Sequence, residues 1–437
     1  MPRRLWAPGH ERVRRLTGVA ENRPGAHAPK TQERTRIDGI DAARALAVLG
    51  MFVVHVSVDS FGLLDPDGAG QAVHDLVRGN SSALFAFLAG LSLALMTGRT
   101  RPVSGEPLRL VVVKVLTRAL VIGMLGLMLD TLAVPVAVIL TYYAGFFVLA
   151  LPLAKLRAGA LVSVAAGLAA VGPPLSFLLR QDLVPPRTPQ GAVSSLSEFL
   201  LTGYYPAITF MVFVFAGMAV GRLDLGATAI RVRLLATGAA LTASGYAGSW
   251  AALYVFGGLD RLAQGSGSSL GYPASIAEDP QLRENLREQV MDEAYSISGQ
   301  VPTDSWWWLA VGTPHTGTHF EMAESVGQAL LVLVACLWLA ERARFLMYPL
   351  TSVGRMPLTV YTGHLFVLAV VVGVLGPMDW HTPWLLEWLV LGAVVFAVAW
   401  RLLLGRGPLE RFLGLCADNT ALLYQENRRE RHGPPAP

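Results

Sequence analysis

Cysteine is nearly missing from this chain: two residues, Cys336 and Cys416, among 437. That is too few for a disulfide framework, and neither belongs to a CxxC metal or redox pair. Charge is scarce too. Only 15% of residues are Asp, Glu, Lys or Arg, while 53% are hydrophobic and mean hydropathy is +0.47. Those proportions exclude an ordinary soluble domain. The net charge of +4 is small and its basic residues are scattered through loops, so nucleic acid is not expected as a partner. The first 36 residues are Arg-rich but contain no apolar core of a secretory signal, and they read as a disordered basic arm. The tail from about Glu426, ENRRERHGPPAP, reads the same way.

What is abundant is apolar sequence in runs near the roughly 20 residues that cross a bilayer. Ten spans are expected, at about 40–58, 82–98, 109–130, 134–154, 158–179, 197–220, 232–257, 321–340, 357–376 and 384–404. An eleventh short or re-entrant segment has room near 345–356. The fold class is therefore all-α, a polytopic integral membrane protein. The domains are an arm over 1–36, a membrane domain over 37–415 and a tail over 416–437. Connections alternate in charge. Arg99, Arg101, Lys155, Arg157, Arg222, Arg231, Arg342 and Arg355 fall on one side, and Asp59, Asp65, Asp75, Asp130, Glu278 and Asp292 on the other. The positive-inside rule then puts both termini in the cytoplasm of a cell (inner) membrane protein. Trp380, Trp384 and Trp388 fit an aromatic belt at the outer interface. Residues 258–320 make a long external loop with a GSGSS stretch, a charged amphipathic segment and the triplet Trp306-Trp307-Trp308. Either an interfacial helix or a cap over an external site would use such a loop.

Titratable groups within or beside these spans are the candidate functional residues, because a charge at that depth is costly unless paired or wet. On the outer side stand His55, His74 with Asp75 and Arg78, Tyr204 and Tyr205 ahead of Pro206, and Pro314-His315-Thr316-Gly317-Thr318-His319-Phe320-Glu321. His315 and His319 are four apart, a spacing that allows a general base, a proton relay or metal ligation. No metal is expected, since HExxH and a cysteine partner are both lacking. Thr318 with Glu321 also reads as a capping box. Tyr142 and Tyr143 suit either a polar cavity lining or hydrogen bonding between packed helices. On the inner side, Asp38, Asp41 and Arg44 open the first helix, and Asp41 and Arg44 share a face. Lys114 and Arg118 also share a face, and either a phosphate-bearing ligand or lipid headgroups would satisfy them. Arg355 and His364 complete the intramembrane set.

Several of these residues carry a resemblance. RIDGIDAARALAVLGM resembles the opening of the DUF418 (YeiB-like) membrane proteins, within the transmembrane acyltransferase superfamily that includes heparan-alpha-glucosaminide N-acetyltransferase. Arg36, Asp41 and Arg44 fit the pattern R-x-x-x-x-D-x-x-R-G, and Ala45 stands where the glycine is expected. Ser82-Ala83-Leu84-Phe85 through Gly90, Gly203-Tyr204-Tyr205-Pro206 through Gly217, Pro314-His315-Thr316-Gly317 and Gly354-Arg355-Met356-Pro357-Leu358-Thr359-Val360-Tyr361 with His364 follow in the family's order.

The resemblance implies an acetyl-CoA-dependent acyltransferase, carrying an acetyl group from cytosolic acetyl-CoA to a hydroxyl or amine of a small-molecule or glycan acceptor across the membrane. His55 is then the first choice of catalytic base, followed by His315 and His74. Asp41 and Arg44 hold the donor end, and Arg118 and Arg355 are the contacts for CoA phosphates. Tyr204, Tyr205, Thr316 and His364 are further substrate-binding candidates. Self-association into a homo-oligomer stays open. The alternative reading is a transporter or channel for a small polar or lipid-linked solute, since intramembrane His and Tyr on broken helices serve either purpose.

Overall fold

The computed structural model describes residues 37–132, 134–182, 193–269, 279–376 and 382–432. The expected N-terminal arm and Trp380 lie outside them. From Asp38 onward the described chain forms one unit, and its regular structure is helical with no strand among the described residues. Helix α1 (Asp38–His55) begins with Asp38 and Asp41 in its first turn, where the amide dipole favours acids, and continues through Ala, Leu, Val and Met. It is the hub: eleven of its residues are buried against the helices around it. Those helices are α2 (Gln71–Val77), α3 (Asn80–Met96), α11 (His319–Arg342), α12 (Tyr348–Gly354), α13 (Pro357–Leu375) and α14 (Leu385–Leu403). The remaining helices are α4 (Gly105–Asp130), α5 (Leu140–Ala150), α6 (Ala158–Leu179), α7 (Ala207–Gly221), α8 (Thr228–Trp250), α9 (Gly258–Ser269), α10 (Pro280–Ser296) and α15 (Pro408–His432).

A helix stands at each of the ten expected spans, yet among the described residues six segments are long and apolar enough to cross a membrane by length and composition. These are Pro66–Met96, Gly105–Asp130, Ala158–Leu179, His319–Arg342, Pro357–Leu375 and Leu385–Leu403, and Leu140–Leu153 and Ala207–Gly221 are shorter apolar helices. The pattern is consistent with a polytopic membrane protein. Two expected spans are shortened for one reason. Pro135 precedes α5 and Pro206 caps α7; proline lacks the amide and holds its predecessor extended, so the helix starts only afterwards. The seven-residue α12 occupies the region where an eleventh segment was allowed.

Close backbone approach depends on glycine at the α1–α12 and α3–α7 crossings. A Cβ on Gly354 would collide with the Asp41 carbonyl, and one on Gly90 or Gly217 with the carbonyls of Val214 or Phe87. Because Gly354 packs level with Asp41, α13 starts well inside the Asp38 end of α1. That offset carries His364 up to the height of His55.

Three other expectations change. The tail beyond Glu426 is helical to His432, because α15 lies along α4, with Ala417 and Ala421 buried and Lys114 Nζ 2.6 Å from Asp418 Oδ1. Arg428 pairs with Glu106 near its far end. The GSGSS stretch, expected as part of a long loop, is helical and ends α9. Arg222, counted above as a topological charge, is 4% exposed and acts as a cap. Its guanidinium donates to Ala94 O, Arg99 O, Thr97 Oγ1 and Ala154 O at 2.5–3.0 Å, satisfying carbonyls at the end of α3.

The described residues of 258–320 (258–269 and 279–320) are a small folded layer with a core of its own. Leu259, Leu262, Leu286, Val290 and Trp308 bury one another, and Arg287 bridges α10 to Asp260 of α9 at 2.6 Å. The charged segment read from sequence is α10, capped by Asp279, which accepts from the Gln281 and Leu282 amides.

Candidate functional site

The layer is pinned at the His55 end of the bundle, above a polar cavity of about 90 Å³. Its walls come from α1 (Met51, Val54, His55), the start of α3 (Gly79, Ser81, Ser82), the irregular Pro135–Ala137 run, and Tyr204, Tyr205 and His315. The volume holds a few waters or the reacting end of a small ligand. Gly79 starts α3 at φ +73° without a side-chain cap. The Asn80 N–H is taken by the Arg78 carbonyl at 2.8 Å, so it is the Ser81 and Ser82 end of this first turn that meets the cavity wall, beside the positive end of the helix dipole.

His55 reaches across to α13. Its Nδ1 lies 3.0 Å from Nε2 of His364, and the two rings stack at 5.2 Å between centroids. Phe52, one turn earlier on α1, also stacks with His364 at 4.4 Å, and Tyr361 meets it edge-on at 5.1 Å. His364 is 3% exposed. Two imidazoles sharing one hydrogen bond carry a proton on only one of the facing nitrogens, so the tautomers of His55 and His364 are coupled. Sequence reading put His364 in the inner, donor-side set; the raised start of α13 places it instead behind His55.

His315 stands on the opposite wall, held by its backbone. It adopts φ +62°, left-handed for a non-glycine residue. Glu321 anchors that turn, accepting from the His315 amide at 3.1 Å and the Gly317 amide at 2.8 Å, while the His315 carbonyl accepts from Gly299 at 2.8 Å. Half of the expected capping box forms: Thr318 Oγ1 accepts from the Glu321 amide. The Glu321 carboxylate bypasses Thr318 and reaches back to His315 and Gly317, which is how the helix start shapes the site. The His315 ring packs on Tyr204 at 4.9 Å and Tyr205 at 6.0 Å, and its Nδ1 is buried with no hydrogen-bond partner among the described residues. Burial, with Arg78 adding its positive charge nearby, pushes the His315 pKa down to about 3. At neutral pH His315 is therefore an uncharged imidazole.

The other candidates separate. His74 sits on α2 beside Asp75 and is not part of the cavity wall. His319 turns away from His315, with Nε2 3.1 Å from the Ala170 carbonyl. The Thr316 hydroxyl donates to the Thr313 carbonyl. Tyr142 and Tyr143 resolve as packed tyrosines: Tyr142 OH accepts from the Tyr204 amide at 3.0 Å, and Tyr143 OH donates to Ser82 O at 3.4 Å. At the other end of α1, Arg44 bridges Asp41 at 2.7 Å and Ser92 at 2.6 Å, and Arg355 pairs with Asp38 at 3.0 Å. Arg118 is not with them. Its Nη1 lies 2.7 Å from Met96 Sδ, on the α15 side of α4.

Sequence reasoning missed Ser81, Gly79 and the Pro135–Ala137 run as wall residues. Gly79 ahead of Asn80-Ser81-Ser82 is a helix-start signature that could have pointed to them; the Pro135 run carries no local signal.

His55, paired with His364, and the N-terminus of α3 thus border one small polar cavity within a helical bundle. The family model described as heparan-alpha-glucosaminide N-acetyltransferase, catalytic, matches residues 36–255, half of the chain, and the protein belongs to that family. The match includes His55, Ser81, Tyr204 and Tyr205 and stops before His315, Arg355 and His364. None of the curated proteins matches the chain.

Proposed function

We propose that the chain transfers an acyl group, acetyl in the simplest case, from a CoA thioester to an amine or hydroxyl of a small or glycan acceptor at the His55 cavity. The observation that carries this reading is that His55, backed by His364, borders the same cavity as the α3 N-terminus. With a proton on His55 Nδ1 donated to His364, His55 Nε2 is the acceptor available to substrate. It removes the proton of the attacking amine or hydroxyl as the new C–N or C–O bond forms at the thioester carbonyl. The C–S bond breaks, and the thiolate leaves and takes up a proton. The oxyanion formed in between is stabilised by the first-turn amides of α3, and His364 keeps His55 in the productive tautomer. Family membership supports transferase chemistry. The charge alternation of the loops supports an outward-facing acceptor site and cytoplasmic termini in a cell membrane, with the 258–320 layer as its cap.

The test is release of free CoA thiol from acetyl-CoA by purified protein supplied with amino-sugar or alcohol acceptors. Acceptor-dependent release, lost in His55→Ala, is expected. No release and no stabilisation by millimolar acetyl-CoA sinks the enzyme reading, and acceptor uptake into vesicles without CoA makes the protein a transporter.

A further inference from the structure

The Asp38 end of the bundle holds a second polar cavity, of about 280 Å³, bordered by Asp38, Arg344, Tyr348, Thr351, Arg355 and Arg401. Arg401 lies near the end of α14 and is built in from behind. Its guanidinium carbon rests 4.2 Å from the centre of the Tyr348 ring, and Nη1 donates to Thr351 Oγ1 and Ser352 Oγ, both at 3.0 Å. All the hydrogen bonds it makes among the described residues leave from Nη1, so the Nε–Nη2 edge, the edge that forks onto an oxyanion, is uncommitted. No carboxylate among the described residues forms an ion pair with Arg401 or with Arg344, which is exposed at the rim. Arg355 and Arg44 take up Asp38 and Asp41. Among the described residues, three guanidiniums, those of Arg344, Arg355 and Arg401, thus border the hollow with one carboxylate, that of Asp38.

We infer that this cavity is a phosphate-binding site, in which Arg401 and Arg344 clasp the oxygens of a phosphate or diphosphate group while Tyr348, Thr351 and Ser352 hold Arg401 in place. A fixed, stacked guanidinium is the arrangement that planar bidentate recognition of phosphate requires. The residues that build it lie beyond the 36–255 family match except for Asp38, and the site does not depend on the acyl-transfer reading. A soluble phosphorylated ligand and a phospholipid headgroup offer the same chemistry, and the experiment separates them.

Thermal unfolding of the purified full chain is followed in detergent with inorganic pyrophosphate against chloride at equal ionic strength. It is then followed in nanodiscs with and without phosphatidylglycerol. Pyrophosphate is expected to stabilise the wild type and the remote surface variant Arg233→Gln. Arg344→Gln and Arg401→Lys should weaken that effect by about tenfold or more in apparent affinity, as loss of a charge-assisted bond implies. Stabilisation confined to phosphatidylglycerol discs and weakened by the same variants assigns the site to lipid phosphate. No stabilisation in either arm, or stabilisation that Arg344→Gln leaves unchanged, overturns the proposal. Arg344 is exposed, so that variant serves if Arg401→Lys fails to fold.

Discussion

His55 Nδ1 and His364 Nε2 lie 3.0 Å apart, although 309 residues separate them in the chain. The contact makes His364 a positioning residue for the proposed base. His364→Ala should lower kcat by about one hundredfold or more, toward the value of a histidine base held in the wrong tautomer, with KM little changed. The acid limb of the pH–rate profile should move, and His364→Asn should recover part of the loss. Steady-state release of CoA thiol across pH 5 to 9 measures all three; a KM effect alone would make His364 a packing residue.

Gly354 and Gly363 offer a matched pair. Gly354→Ala drives a methyl into the Asp41 carbonyl, whereas a Cβ on Gly363 meets nothing within 4 Å. The first should destabilise by about 1–3 kcal/mol or more, as overpacking does. The second should stabilise by up to about 1 kcal/mol, because alanine is the better helix former. Melting temperatures of the two variants in one detergent decide it.

Arg222→Met removes the donors that satisfy four groups at the end of α3 and beside it. Each buried acceptor left unbonded costs about 1–3 kcal/mol. The variant should express poorly and melt well below the wild type. Arg222→Lys should restore only part of the loss, since an ammonium cannot span the same fork.

His315 links stability to pH. Its folded pKa of about 3 lies below the ordinary histidine value of 6.5. Between those values the unfolded chain binds the extra proton, so stability falls as pH drops from about 6.5 and is flat above it. The slope approaches about 1.4 kcal/mol per pH unit for one such group. His315→Gln should flatten the decline of melting temperature between pH 6.5 and 5; an unchanged slope would assign acid sensitivity elsewhere.

Sidedness has a direct probe. Glu288 is exposed on α10, and Cys336 is buried. Glu288→Cys in a Cys416→Ser background should react with an impermeant maleimide on intact cells. Reaction only after permeabilisation would place the His55 cavity on the cytoplasmic side.

Much of the frame was legible one helix at a time. Apolar runs placed a helix at every expected span, and Asp38, Asp41 and Arg44 at three-residue spacing announced the head of α1. Thr318 announced the start of α11. These signals are local, because composition and capping act within a few residues. The loop prolines at 135 and 206 were equally visible, yet hydropathy averaging ran both spans through them.

By itself, the sequence determined an all-helical, membrane-type chain with titratable groups at both ends of its first helix. Which of those groups meet was decided only by tertiary structure. His364 joins His55 because Gly354 lets α12 dock against Asp41 and lift α13. His319 leaves His315 because the left-handed turn held by Glu321 aims the two rings apart. Arg118 leaves Arg355 for the flank along α15. Hydropathy and spacing report where a helix lies, but which residues meet depends on the height at which each helix starts, and that is set by backbone contacts between segments hundreds of residues apart.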